Sequence, residues 1–335
     1  MRRLVLATLV VSFAAALPAQ QEEWISTFSI IAFDPATKQL GVGVQSRAFA
    51  AGAIVPYAKA GVGAVATQAA ANRTYGPKAI ALLEQGLSPE EVIKKITDDD
   101  PGRDRRQVAV IDASGRSAAY TGKHVIDRNH DKNDRVHFGG WAGHASGANF
   151  SAQGNTLASE AVVTAMAAAY QHGTGTMAER LMDALDAGQA NGGDTRGMQA
   201  AGILVVAPIT DAETTTDRLI DIRVDDYPDP FKELRRVLNV RLSGTYVQRA
   251  AALAKAGKTS EALEIQKLAA KMNPRSERIL FGLAERYADA GESLNALIAL
   301  RQAIDIQPTL KLDAAESAAL AKLKSHVEFT RLIGE

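Results

Sequence analysis

The order of strand-like and helix-like segments most constrains how this chain of 335 residues can fold. β-rich runs at 27–33 and 40–46 are followed by a glycine-containing run at 60–70 and by two helical patterns within 75–102. A second hairpin, two more helices and two final strands come next. Because pairs of helices separate groups of strands, we predict an α+β fold. In it, two antiparallel sheets are covered by helices, in contrast to a doubly wound parallel sheet.

Turn and capping residues set boundaries within this pattern. Asp-Pro at 34–35 predicts the turn of the first hairpin, and Ser88 predicts the N-terminal cap of the second helix. Residues 123–148 are polar, and we predict a loop there. The run FSAQGNTL that follows predicts a short strand ending in a Gly-Asn turn at 154–155, before an Ala-rich helix.

Small residues and prolines recur at intervals of 34 positions in the last part of the chain. The three matching pairs are Gly257 and Gly291, Ala262 and Ala296, and Pro274 and Pro308. This is the period of tetratricopeptide repeats. We therefore predict an all-α, tetratricopeptide-like domain over 243–335, joined to the sheets by a helix over 231–242. A generic helical hairpin is the alternative, because such repeats usually stack at least three units.

The first 19 residues have the pattern of a secretory signal. Arg2 and Arg3 precede the apolar run LVLATLVVSFAAAL, and small residues follow up to Ala19. The run is shorter than the roughly 20 residues of a spanning helix. We predict a signal peptide at 1–19 and a short leader at 20–26, and hence an exported protein, periplasmic or secreted, that has no membrane contact after cleavage. An uncleaved anchor is the alternative.

Charge and cysteine content argue against several classes of partner. Lys+Arg and Asp+Glu both total 38, so the chain has no basic excess to neutralise phosphates, and we predict no nucleic-acid partner. The absence of cysteine removes disulfides and thiolate metal sites. The Asp/Asn alternation at 127–133 lacks the glycine and glutamate of a calcium loop. We predict no metal and no cofactor.

Several long segments resemble a known family. TFSIIAFDPATKQLGVGVQSRAFAAGAIVPYAKAGVGAVATQAAANRTYGPKAIALLEQGLS, DPGRDRRQVAVIDASGRSAAYTG, AQGNTL and AGQANGGDTRGMQAAGILVV look like the domain-of-unknown-function family 1028. The resemblance runs from about Thr27 to Leu242. That family is similar to the N-terminal-nucleophile hydrolases, which implies a four-layer αββα sandwich over 27–242. It implies no established substrate.

The resemblance also implies a set of site residues. The implied catalytic residues are Thr27 as the nucleophile, Gly154 and Asn155 for the oxyanion, and Asp194 for polar positioning. The implied substrate-binding residues are Ser46, Arg47, Thr67, Gln68, Arg196 and Gln199. Each has a structural alternative: Thr27 is by composition an ordinary strand residue, Gly154 is a turn glycine, and Asp194 and Arg196 form an internal ion pair.

A threonine at the start of a chain can act as a nucleophile because its own α-amine, with a pKa of about 7.7–8.0, takes the hydroxyl proton. Here QQEEWIS, residues 20–26, would precede Thr27 after signal cleavage, so the activation requires a break between Ser26 and Thr27. We predict a hydrolase of amide-type C–N bonds in a small-molecule or peptide-like substrate. Its residues 243–335 would contact a protein partner or a second subunit. The alternatives are a non-catalytic small-ligand-binding module with a blocked Thr27, and an interaction scaffold.

Overall fold

The computed structural model of the protein describes residues 24–25, 27–126, 140–210 and 215–334. The predicted signal peptide, most of the predicted leader, including Ser26, and the Asp/Asn run at 127–133 lie outside these residues. No helix in the described part of the chain is both long and apolar enough to cross a bilayer.

The strands form two antiparallel sheets, which confirms the prediction from element order. The first sheet contains β1 (Trp24–Ile25), β4 (Pro56–Lys59), β5 (Gly63–Ala70), β6 (Arg106–Asp112) and β7 (Ser117–Thr121). Its order is β1-β5-β6-β7, and β4 also pairs with β5. The second sheet contains β2 (Thr27–Phe33), β3 (Leu40–Ser46), β8 (Trp141–Gly147), β9 (Phe150–Leu157), β10 (Ala200–Val206) and β11 (Arg218–Val224). Its order is β11-β10-β3-β2-β9-β8.

Helices accompany both sheets in the first 255 residues. They are α1 (Ala51–Ile54), α2 (Tyr75–Glu84), α3 (Pro89–Asp98), α4 (Lys123–Ile126), α5 (Ala161–His172), α6 (Met177–Ala190) and α7 (Pro230–Lys255). The predicted cap of α3 is confirmed, because the Ser88 hydroxyl accepts the Glu91 N–H and the Glu91 carboxylate accepts the Ser88 N–H.

Three apolar clusters set the layers of this part. Val65 and Val108 on one face of the first sheet pack against α2 and α3. Phe28 and Ile30 on one face of the second sheet pack against α5, α6 and α7. The two remaining faces meet in a third cluster, which includes Ile31. The two sheets are therefore stacked, and each carries helices on its outer face.

The remaining helices form a separate core. They are α8 (Thr259–Met272), α9 (Glu277–Asp289), α10 (Ser293–Ile306), α11 (Leu310–Glu316) and α12 (Val327–Ile333). The first residues of α8 and α10 are 34 positions apart, and so are their last residues. The predicted period therefore recurs in the helix boundaries. The predicted domain boundary between 242 and 243 lies inside α7, which continues without a break.

Two local predictions are wrong. Residues 154–155 lie inside β9 and form no turn, because both neighbouring strands pair with β9 up to these positions. The polar stretch 123–148 contains β8, an edge strand that pairs with β9 and holds little hydrophobic sequence. In both cases tertiary pairing overrides the local signal, because cross-strand neighbours stabilise a strand that its own sequence favours only weakly.

Candidate active site

Thr27 begins β2 with its side chain inside the molecule. Side chains alternate between the faces of a strand, so Thr27 lies on the same face as Ile31, which packs between the sheets. The residue is 0% exposed, and its Oγ1 donates a hydrogen bond to Oγ of Ser46 at 3.1 Å. The predicted nucleophile is therefore held in the interior, at the end of the stacked sheets where β2 starts and β3 ends.

Ser46 and Asn155 flank Thr27 on the strands next to β2. The register pairs Thr27 with Ser46 on β3, and it pairs Phe28 with Gly154 on β9. The second ladder ends at that pair, and Asn155 follows Gly154 on the side of Thr27. Directly opposed residues have Cβ atoms about 4.5–5.5 Å apart. Three polar residues of the second sheet thus form one row, and we call Ser46, Thr27 and Asn155 the Thr27 row.

Gln107, near the start of β6, is the centre of a buried amide network that faces the Thr27 row from the first sheet. Its Oε1 accepts hydrogen bonds from Nε2 of Gln68 at 2.8 Å and from Nδ2 of Asn155 at 3.0 Å. Its Nε2 lies 2.9 Å from the carbonyl oxygen of Gly154 and 3.2 Å from that of Gly143. One side chain therefore links β6 to β5, β8 and β9.

Gln68 connects this network to the strand of Thr27. Its Nε2 donates to the carbonyl oxygen of Thr27 at 3.3 Å, and its Oε1 accepts from Oγ of Ser29 at 2.6 Å. Ser29 in turn accepts a hydrogen bond from Nε2 of Gln153 at 2.7 Å. A buried polar group left without a partner costs about 1–3 kcal/mol, so these bonds hold each side chain in one orientation.

Two non-glycine residues next to this network have a left-handed backbone. Ala69, which follows Gln68, has φ 64°, and Thr156, which follows Asn155, has φ 58°. This conformation costs an L-residue about 1–2 kcal/mol, and a branched side chain adopts it rarely. Such strain persists only where surrounding contacts enforce it, and it clusters at functional sites. The two residues therefore support a functional role for this end of the sheets.

The residues before Thr27 belong to the other sheet. In β1, Trp24 pairs with Ala70 and Ile25 pairs with Ala69, both on β5 of the first sheet. Thr27 pairs in the second sheet, so the chain passes from one sheet to the other between Ile25 and Thr27. In this uncut form the nitrogen of Thr27 is a peptide nitrogen and cannot act as a base.

Asp194 forms a buried ion pair with Arg196. Its side chain is 0% exposed, and its two oxygens accept from Nε of Arg196 at 3.1 Å and from Nη2 at 2.8 Å. Oδ2 also accepts the backbone N–H of Arg47 at 3.3 Å. Asp194 and Arg196 therefore fix the backbone that directly follows Ser46, which brings this predicted pair to the end of the Thr27 row.

Thr67 and Gln68 lie on opposite faces of β5. Gln68 faces the interior between the sheets, whereas Oγ1 of Thr67 donates to the carbonyl oxygen of Asn72 at 3.4 Å. Thr67 shares its face with Val65, which packs against α2. The structure therefore brings Gln68 to Thr27. The predicted placement of Thr67 near Thr27 is wrong, because Thr67 lies on the opposite face of β5.

Arg47 and Gln199 lie at the outer edge of this region. Arg47 is exposed, and its Nη1 donates to the carbonyl oxygen of Met198 at 2.8 Å. The backbone N–H of Gln199 donates to the carbonyl oxygen of Ser46 at 3.1 Å, and its side chain donates to Asp226 at 3.2 Å. Both residues brace the end of β3 against the segment that leads into β10.

Gly154 is closely packed inside β9. A Cβ atom at this position would lie 2.4 Å from Cδ1 of Leu157 and 3.1 Å from Cβ of Phe28. A side chain at this position would force Leu157 to move and would press on Phe28, so close packing favours glycine whether or not the position serves chemistry. The predicted oxyanion role of Gly154 stays a prediction.

The groups named around Thr27 are neutral hydroxyls and amides, and charged groups lie further out. One charged cluster is at Asp100, near the start of β6. Burial alone would raise the pKa of Asp100, but hydrogen bonds from Arg106, Asn72, the Gly102 N–H and Tyr75 lower it to about 2. Within the described ranges, no three side chains are grouped so that they could hold a metal ion.

The sequence matches the profile of DUF1028, a family of unknown function, over residues 27–234. The chain belongs to the DUF1028 family. The match begins at Thr27, the first residue of β2, and ends inside α7.

A solved structure supports this DUF1028 assignment. The crystal structure of the DUF1028 protein SPO2555 from Silicibacter pomeroyi is similar, with a TM-score of 0.54 and 28% identity. The similarity covers 65% of this chain and 89% of that chain. No curated protein matches the sequence.

Sequence reasoning missed part of the interior of this DUF1028 chain. The additional buried polar residues on the inner faces are Ser29, Gln107, Ser151 and Gln153. The alternation of side chains along a strand could have identified them. Ser29 and Gln107 lie an even number of positions from apolar residues that face the other sheet, and Ser151 and Gln153 lie an even number of positions from Asn155. In β6, for example, Gln107 precedes Ala109 and Ile111 at intervals of two.

Proposed function

We propose that the protein is an exported hydrolase of amide-type C–N bonds whose nucleophile is Thr27 after a cut between Ser26 and Thr27. The substrate class is small-molecule or peptide-like. The stacked sheets with outer helices support a likeness to the αββα sandwich of the N-terminal-nucleophile hydrolases. Export to the periplasm or beyond rests on the N-terminal sequence pattern.

The observation that carries this proposal is the position of Thr27. It is the first residue of a central strand, it lies in a polar interior between the sheets, and it follows the point where the chain changes sheets. A cut at this point would release the leader from β2 and leave the pairing of β2 with β3 and β9 intact. The family match that starts at Thr27 agrees with a leader outside the conserved unit.

The cut itself needs only Thr27 and water. Oγ1 attacks the carbonyl carbon of Ser26, the C–N bond breaks as the nitrogen of Thr27 takes a proton, and an ester joins Ser26 to Oγ1. Water then hydrolyses the ester, which leaves a carboxylate at Ser26 and a free amine and hydroxyl at Thr27. The hydrogen bond from Oγ1 to Ser46 holds the hydroxyl in a defined rotamer before the reaction.

In the cut chain the α-amine of Thr27 takes the proton from Oγ1 as Oγ1 attacks the substrate carbonyl. The amine product leaves, and water hydrolyses the acyl ester. A developing oxyanion needs N–H donors, and we assign this role to Gly154 and Asn155. In the uncut chain Nδ2 of Asn155 donates to Oε1 of Gln107.

For the last part of the chain we propose tetratricopeptide-like repeats that contact a protein partner or a second copy. The 34-residue offset between α8 and α10 supports the repeat. Leu294 and Ile298 lie one helical turn apart on α10 and are 75% and 57% exposed. Exposed apolar residues at this spacing are suited to a protein contact.

Intact-mass measurement and N-terminal sequencing of protein recovered from an exporting host test the hydrolase. We expect a chain that starts at Thr27, with Thr27→Ser cut and Thr27→Ala uncut. The complete burial of Thr27 supports the alternative, a non-catalytic small-ligand-binding module with a blocked threonine. A wild-type chain that keeps its leader, or a Thr27→Ala chain cut at the same bond, would favour that alternative.

A further inference from the structure

An acceptor without a partner lies in the Thr27 row. Oδ1 of Asn155 is buried and forms no hydrogen bond within the part of the chain that the structure describes, and the residue is 1% exposed. Nδ2 of the same side chain donates to Gln107 at 3.0 Å. A buried carbonyl without a donor costs about 1–3 kcal/mol, so this arrangement calls for a further partner.

The proposed cut creates such a partner. A peptide nitrogen at Thr27 carries one N–H, whereas a free amine carries two and an ammonium group three. The new donors appear on Thr27, which directly precedes Phe28, and the strand partner of Phe28, Gly154, directly precedes Asn155. The number of N–H donors therefore rises close to the unpaired acceptor.

We propose that Oδ1 of Asn155 accepts a hydrogen bond from the α-amine of Thr27 once the Ser26–Thr27 bond is cut. This inference rests on the proposed function and gives Asn155 a role other than the oxyanion. Asn155 is a positioning residue: it fixes the rotation of the amine, so that the nitrogen lone pair is directed to Oγ1 of the same threonine.

The backbone around Asn155 is built to hold this side chain in place. Thr156 has the left-handed φ of 58°, and its carbonyl oxygen accepts both the N–H and Oγ1 of Thr195 at 3.0 Å. Thr195 is the residue between Asp194 and Arg196, whose ion pair also fixes the end of β3. One loop therefore braces both sides of the Thr27 row.

The Asp194–Arg196 and Asp100–Arg106 ion pairs are neutral in sum, and the facing side chains on β5, β6 and β9 are amides or hydroxyls. Burial therefore dominates, and we expect the pKa of the amine to lie below the usual range of about 7.7–8.0.

The test uses the full chain with a site for a sequence-specific protease in place of residues 23–26, so that Thr27 becomes terminal whether or not the natural bond is cut. Carbamylation of the Thr27 amine by cyanate is followed by mass spectrometry across pH, and its midpoint gives the pKa of the amine. Asn155→Asp places a carboxylate beside the amine and should raise the midpoint by about 1–3 units.

Gln153→Glu is the matched control. It is the same amide-to-carboxylate change on the same face of β9, about 7 Å further along the strand, and should raise the midpoint by less than half as much. Asn155→Leu removes the acceptor without adding charge and should lower the midpoint by about half a pH unit. This variant tests the inference even if Asn155→Asp does not fold. Equal shifts in Asn155→Asp and Gln153→Glu, or no shift in Asn155→Leu, would overturn the inference.

The proposed function and the proposed role of Asn155 can be refuted independently. If wild-type protein is never cut but the engineered terminus shows these shifts, the proposed function fails and the role of Asn155 stands. If wild-type protein is cut but the midpoint does not respond to Asn155, the positioning role fails and the hydrolase stands.

Discussion

Replacing Gln107 with methionine would remove the centre of the buried amide network and keep a side chain of similar length. In the wild type, Oε1 of Gln107 accepts from Gln68 and Asn155, and Nε2 lies within hydrogen-bond distance of the carbonyl oxygens of Gly154 and Gly143. A thioether replaces none of these bonds well. The change therefore tests whether the network stabilises the stacked sheets.

The magnitude follows from the groups left unpaired. Nδ2 of Asn155 and the carbonyl oxygens of Gly154 and Gly143 lose a partner, and Nε2 of Gln68 keeps the contact of 3.3 Å with Thr27. Gly143 is only partly buried, so we count the two buried groups, on Asn155 and Gly154. At about 1–3 kcal/mol for each, they predict a loss of about 2–6 kcal/mol in the free energy of unfolding. Typical domains have a free energy of unfolding of only about 5–15 kcal/mol, so a loss of this size should be easy to measure.

Gln266 in α8 offers a matched control. It is 3% exposed, and its Nε2 donates to the carbonyl oxygen of Ile279 at 2.9 Å. Gln266→Met should therefore cost about 1 kcal/mol. In urea unfolding, tryptophan fluorescence follows the first part of the chain, because both tryptophans, Trp24 and Trp141, precede α7. Circular dichroism follows the helices as well. The reasoning would be refuted if Gln107→Met lowered the free energy of unfolding, followed by fluorescence, by no more than Gln266→Met lowers it, followed by circular dichroism.

Two further substitutions test the charged groups around the site. Asp194→Asn removes the negative charge of a fully buried carboxylate that is paired with Arg196, and it should lower the free energy of unfolding in urea by about 3–5 kcal/mol. The control Asp221→Asn lies in an exposed cluster with Arg223 and should cost at most about 1 kcal/mol; equal losses in the two variants would contradict this prediction. The pKa of Asp100 is lowered from 3.8 to about 2, so its contribution to stability is present above pH 4 and is lost as the pH falls towards 2. Thermal melts should show that Asp100→Asn is less stable at neutral pH and loses less stability over that interval; parallel curves for the two proteins would argue against it.

Much of the fold follows from the sequence. The predicted hairpin strands 27–33 and 40–46 coincide with β2 and β3, because alternating β-rich residues and the turn at 34–35 act together. The capping box at Ser88 begins α3 as predicted. In these places local propensity, periodicity and tertiary packing favour the same structure, so one sequence is enough to locate the element.

The incorrect predictions have physical causes. Gly-Asn at 154–155 carries a turn signal, but the glycine is there because Leu157 and Phe28 leave no room for a Cβ atom, and that contact is known only from the tertiary structure. The prediction that Thr67 and Gln68 both lie beside Thr27 is wrong for a reason that the sequence already contains, since neighbours in a strand face opposite sides. The pairing of β2 with β9, which brings Asn155 close to Thr27, could not be derived, because it joins strands more than one hundred residues apart.

The change of polarity along the strands is the strongest argument that the Thr27 end of the sheets serves a function. On the inner face of β2 the side chains change from Phe33 and Ile31 to Ser29 and Thr27, and on β6 they change from Ile111 to Gln107. Apolar side chains would stabilise this end by about 25 cal/mol for each Å² buried, whereas buried hydrogen bonds give a small net gain. Folding alone therefore does not require a polar interior here. The polar side chains, the strained residues next to them and the crossing of the chain between sheets coincide at one threonine, and the proposed catalysis at Thr27 would account for all three.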